Sequence, residues 1–162
     1  MKTKILYWFL LSASSIYSQN SEPIQADRPD QTETPAIVPK GMFQVETGLV
    51  FQKNDANSST FSLPSTLWKY GVNENFELRL LTEFISEAIN YTKTSGLNPI
   101  YVGFKVQLTE EKGIIPKTSY IAQIGFPNAA SSPYKTAYFA PEFRLVMQHS
   151  LSEKLAFSYN LG

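Results

Sequence analysis

The chain has 162 residues, with 14 Lys and Arg balanced against 14 Asp and Glu, one His and no Cys. That length suits one domain or part of one. The lack of Cys excludes a thiolate nucleophile, a disulfide framework and Cys-ligated metals; the single His excludes multi-His zinc sites, and the even charge argues against nucleic acid as a partner. Aromatic residues make up 14% of the chain, yet the mean hydropathy is slightly negative. An architecture is needed that uses many rings without being hydrophobic overall.

At the N-terminus, Lys2 and Lys4 precede the apolar run 5–11, and small polar residues follow. This is the layout of a secretory signal peptide over 1–18, cleaved after Ser18. The run is too short for a transmembrane helix, which needs about 20 apolar residues. The mature chain is therefore expected to be exported. Residues 19–42 form a leader in which Pro29, Pro35 and Pro39 forbid a helix and favour an extended, stiff chain. Its most specified stretch contains Asp27, Arg28, Pro29, Asp30, Thr32 and Pro35. Arg28 either forks onto a carboxylate inside or beside the following domain or belongs to a solvated leader.

From residue 43 onward the apolar pattern has period two, the signature of half-buried strands. Strands are expected over 43–52, 76–84, 100–108, 118–126, 139–147 and 155–161, with a less regular one over 61–72 interrupted by Pro64. That makes about seven. The predicted connections 53–60, 87–97 and 127–136 are long, whereas 73–75, 109–115 and 149–152 are shorter. Alternating short turns and long loops are the habit of outer-membrane barrels.

The fold class expected is all-β: a transmembrane antiparallel β-barrel over 43–162, preceded by a periplasmic leader. In lipid every backbone polar group needs an internal partner, which strands satisfy only by closing into a barrel. The apolar faces then meet lipid through Phe43, Phe51, Phe76, Leu78, Leu80, Phe84, Phe104 and Phe143. Phe43 and Phe51, like Phe76 and Phe84, are spaced to climb roughly 20 Å, which places them near the two rims of an apolar band about 25 Å tall. The opposite faces carry Glu46, Glu77, Arg79, Glu83, Lys105, Glu142 and Arg144 toward the lumen. These charges either set solute preference or pair across strands and hold register. On this reading Leu80→Arg impairs insertion more than Arg79→Leu.

The stretch Asp27-Arg28-Pro29-Asp30-Gln31-Thr32-Glu33-Thr34-Pro35, then Val38-Pro39-Lys40-Gly41, then Phe43-Gln44-Val45-Glu46-Thr47-Gly48, resembles the opening of the "Putative MetA-pathway of phenol degradation" family. The segment from Lys69 to Arg79 is similar to that family's strand, turn and strand. The resemblance implies an exported outer-membrane barrel labelled as a transporter, near aromatic catabolism. It also implies further strands beyond Gly162, because single-chain bacterial barrels have an even strand number. The chain is thus expected to be the N-terminal part of a barrel, with its strands forming an open curved sheet.

No chemistry of an enzyme stands out. His149 is expected in a periplasmic turn, Glu77 and Glu83 lie too far apart for a glycosidase pair, and no phosphate-binding or calcium-binding motif occurs. The expectation is a channel without metal or cofactor, located in the outer membrane of a Gram-negative bacterium. Its partners would be outer-membrane lipid, the barrel assembly machinery and a small solute. The alternative is a non-conducting structural or surface-interaction barrel.

Overall fold

The computed structural model describes residues 24–27, 32–55, 57–90 and 92–162; the expected signal peptide lies outside the described residues. They form a single antiparallel sheet of eight strands with no α-helix. The strands are β1 (Phe43–Asp55), β2 (Ser58–Asn73), β3 (Phe76–Ile89), β4 (Thr92–Leu97), β5 (Ile100–Thr109), β6 (Lys117–Phe126), β7 (Ala140–Ser152) and β8 (Leu155–Leu161). Their order across the sheet is β1-β2-β3-β5-β6-β7-β8, with β4 also paired to β3.

Two prolines explain where the ladder departs from regularity. Pro64 does not end a strand. The register of β2 slips between Ser62 and Ser65 against both β1 and β3, so Pro64 sits in a bulge and β2 continues through it. A bulge is where a residue without an N–H is tolerated inside a sheet. Pro99 has the opposite effect. β4 pairs with the end of β3 from Phe84 to Ile89, and β5 pairs with the start of β3 from Phe76 to Leu81. The two are halves of one ladder position, parted at Asn98 and Pro99. The seven expected positions across the sheet are all present, and the eighth strand is this break.

The loops correct the sequence reading more substantially. The expected long connections 53–60 and 87–97 are tight turns instead, because β1 and β2 extend to Asp55 and Ser58, and β3 and β4 fold back around Asn90. Asn90 takes the left-handed conformation with φ of 47°, which Asn tolerates. Polar residues such as Asn54 and Thr60 resemble loop residues, yet backbone ladders form regardless of side-chain polarity, and Asn54 hydrogen-bonds Thr60 across the hairpin at 3.3 Å. Only 127–139 remains a long connection, with two short 3-10 turns. His149 likewise is not in a turn. It lies within β7 and stacks on Tyr159 of β8, with ring centroids 6.2 Å apart.

The two faces of the sheet are sharply different. Cα pairing puts Phe43, Tyr70, Leu78, Phe104, Ala122, Phe143 and the other expected apolar positions on one side. There Phe43 meets Trp68, Phe51 meets Phe61, and Phe76 stacks on Phe104 at 5.5 Å, pairs that stabilise neighbouring strands. This face is nonetheless open: Phe43, Phe51 and Phe143 are 62%, 68% and 66% exposed. Leu78 and Phe84 are exposed too, whereas Phe76, Leu80 and Phe104 are half-buried among their neighbours. The other side is the buried one, and its most enclosed side chains include Lys105 and Glu77, both at 0%. Charged and hydroxyl side chains outnumber the apolar Leu67, Ile121 and Val146 on that enclosed side, and the open side is the apolar one. No ladder joins β1 to β8 among the described residues, so the sheet is open.

Candidate functional site

On the polar face, three cations converge from adjacent ladder positions. Lys69 of β2 is the Cα partner of Arg79 of β3, and Lys105 of β5 is the partner of Glu77, two residues before Arg79. Like charges directly opposite one another destabilise a sheet. The strands supply partial compensation: Glu46 of β1 lies 2.5 Å from the Lys69 ammonium, and Glu77 lies 3.8 Å from both Arg79 and Lys105. Three cations thus face two carboxylates, and one positive charge remains unmatched among these strand residues.

The leader supplies the missing anion. Asp27 is buried, and its Oδ2 receives Lys105 at 2.9 Å and Lys69 at 3.1 Å, with Arg79 at 3.5 Å. Its Oδ1 accepts the Thr34 N–H and the Thr34 hydroxyl, which ties the two described parts of the leader together at the carboxylate. The Asp27 N–H donates to Glu46 at 2.8 Å. Further along, Lys105 donates to the carbonyls of Thr34 and Ala36, Ser119 of β6 donates to the carbonyl of Pro35, and the Val38 N–H donates to Glu77. Glu33 bridges Arg79 at 2.7 Å and Arg144 of β7 at 3.1 Å. The prolines prepare this path, since an extended segment cannot satisfy its own carbonyls and offers them to the sheet. Pro35 and Val38 are buried beneath it.

Close docking of the leader also needs a gap in the sheet. Gly71 of β2 exchanges backbone hydrogen bonds with Gly41 and Met42, and a Cβ there would fall well inside van der Waals contact with the carbonyl oxygens of Val38 and Pro39. Because both obstacles are backbone, Gly71→Ala is expected to lift the leader and cost about 1–3 kcal/mol. A thermal-unfolding comparison with Gly48→Ala, where a Cβ meets open space, checks it.

Burial alone would raise the Asp27 carboxyl, but Lys105, Arg79 and Lys69 override it and hold the group well below the ordinary carboxylate range. A depressed pKa stabilises the folded state at every pH above the unfolded value of about 3.9, and that contribution is lost as pH falls toward the folded value. Leader docking is thus expected to be insensitive to Asp27 from pH 8 to 5 and to weaken progressively below about pH 4. Acid unfolding of wild type and Asp27→Asn, compared by near-UV circular dichroism, reads the difference as a shallower decline in the variant.

The sequence-expected residues thus divide. Glu46, Glu77, Arg79 and Lys105 share the cluster, and Arg144 joins it through Glu33. Glu83 stands apart, bonded to Ser62 and to Asn98, and Glu142 is exposed and accepts from Gln123. In the leader, Asp27 and Pro35 are buried, Thr32 is exposed, and Arg28, Pro29 and Asp30 lie outside the described residues. Lys69 was missed because the bulge at Pro64 disguised the phase of β2. Glu33, Thr34 and Ser119 were missed because nothing local marks them. Among the described residues, no group of three or more His, Asp or Glu side chains is arranged to hold a metal ion.

Comparison with known proteins adds one match. The family model described as "Putative MetA-pathway of phenol degradation" matches residues 26–162, from the leader motif through β8. No curated protein and no solved structure matches the chain.

Proposed function

Since the chain belongs to the "Putative MetA-pathway of phenol degradation" family, we propose that it forms wall and plug of an outer-membrane β-barrel that passes small solutes, aromatic or hydrophobic ones among them. The observation that carries this reading is the inversion of the sheet. Its large apolar side chains face outward while Lys105, Glu77 and Asp27 are buried. In water, exposure of so continuous an apolar face is a liability, and burial of charge is costly without partners. In a bilayer the same arrangement is what a barrel wall requires, with rings toward lipid and a polar interior. No catalytic role, metal or cofactor belongs to the proposal; the partners are lipid, the barrel assembly machinery and the solute. The cell would be a Gram-negative bacterium, exporting the chain by its N-terminal signal.

A second reading is favoured by the leader. A polar face covered by the described leader residues 24–27 and 32–41 supports a plugged, non-conducting barrel that serves structure or surface interaction. Planar-bilayer recording of the protein separates the two. Stepwise conductance supports a pore, and the absence of any flux at all applied voltages supports the plug. Recovery in the soluble periplasm rather than in detergent-extracted outer membrane would overturn both.

A further inference from the structure

We propose that Lys69, Arg79 and Lys105 form a binding site for small monocarboxylates, and that the Asp27 carboxylate is its resident occupant, exchanged for a free carboxylate when one arrives. The proposal rests on the pore reading for the route by which a solute reaches the polar face, but the site is defined by its own geometry.

Charge fixes the class of ligand. Lys69, Arg79 and Lys105 face Glu46 and Glu77, and while Glu33 of the leader is balanced by Arg144 the site presents one net positive charge, matched by a single carboxylate. A phosphate dianion or a dicarboxylate would bring a second negative charge toward Glu46 and Glu77 and meet repulsion. The present occupant, moreover, leaves the site under-used. Asp27 turns only Oδ2 toward the cations, because Oδ1 is committed to Thr34. The Nη1 of Arg79 is met by Glu33 at 2.7 Å and by Asp27 only at 3.5 Å, while its Nε is buried with no hydrogen-bond partner among the described residues. A guanidinium binds a carboxylate best as a fork, with two oxygens on two nitrogens. A tethered Asp27 does not complete that fork; a free carboxylate has both oxygens available for it. The leader thus has the features of a ligand that holds its place by being covalently attached, which raises its effective concentration, rather than by optimal contacts.

The chain has no Cys, so a single thiol reports leader release. Ala36 lies half-buried in the leader, and its carbonyl accepts from Lys105. The Ala36→Cys protein, refolded in detergent micelles, is labelled with a thiol reagent in increasing sodium acetate or formate, with sodium chloride and sodium sulfate at matched ionic strength as controls. The expected result is a labelling rate that rises several-fold and saturates with acetate or formate only, and a loss of that response when Lys105→Met is added. A flat response, a rise reproduced by chloride, or a response that survives Lys105→Met overturns the proposal. Asp27→Ala offers a second readout that needs no thiol: its lowered thermal midpoint should recover in acetate but not in chloride, and equal recovery in both would count against the site. Neither measurement reads conduction. Failure of the pore reading would appear as absent flux with acetate-dependent labelling intact, and failure of this proposal as the reverse.

Discussion

Lys105→Met is expected to destabilise the folded chain by about 3–5 kcal/mol, the cost of removing one partner from a buried charge pair. Lys105 is fully buried and places three hydrogen bonds, on Asp27 and on the carbonyls of Thr34 and Ala36. Methionine keeps most of the stem but leaves two leader carbonyls without their Lys105 donor and Asp27 with Lys69 and Arg79 as its cationic partners. Urea titration in detergent micelles measures the loss. Lys93→Met, at an exposed position of β4, should stay within about 0.5 kcal/mol of wild type. The double variant Asp27→Asn with Lys105→Met should cost less than the sum of the single changes, because the two residues contact each other directly. Additive losses would mean that the cluster does not act as a unit.

The second large effect concerns the apolar face. Leu80→Arg should cost about 2–4 kcal/mol if that face meets the middle of a bilayer. Leu80 lies opposite Trp68 and Val102, well away from either end of β3. Sequence patterning suggests Arg79→Leu as the mild counterpart, and the structure removes that simplicity: Arg79 is 4% exposed and faces Asp27, Glu33 and Glu77. Its loss would be damaging for a reason unrelated to lipid. Gln123→Arg is the cleaner control, because Gln123 lies on the polar face beside Glu142 and outside the cluster. Insertion into liposomes, read by protease protection, should fall for Leu80→Arg and hold for Gln123→Arg. Equal insertion would defeat the assignment of lipid to the apolar face.

Much of the sheet is legible in the sequence because period-two patterning is a local property. Phe76, Leu78, Leu80 and Phe84 alternate with Glu77, Arg79, Leu81 and Glu83, and the faces follow without knowledge of any partner strand. Strand ends are less legible. Asn54 and Thr60 look like loop residues, but a hairpin beyond the apolar band has no need of apolar side chains. The bulge at Pro64 shows the limit most clearly, since one inserted residue reverses the apparent face of everything after it and concealed Lys69. The ion cluster is legible only in part. That Glu77, Arg79 and Lys105 share a face can be read from alternation, whereas their meeting with Asp27 depends on how the leader crosses the sheet. Proline placement signals that the leader is extended; it does not signal where it lands.

That landing bears on the order in which the chain assembles. The leader is the first described segment, yet its contacts reach Ser119 of β6 and Arg144 of β7, 84 and 111 residues further along the chain. Contacts of such separation carry a large loop-closure cost and become favourable only after the intervening strands have paired. Docking of the leader is therefore a late event, on the native side of the main folding barrier. A substitution at Asp27 should quicken unfolding and leave the folding rate nearly unchanged, which stopped-flow chevrons would show as movement of the unfolding arm alone. The N-terminal segment then behaves kinetically as a clasp, closed after the sheet is made and the first part to open.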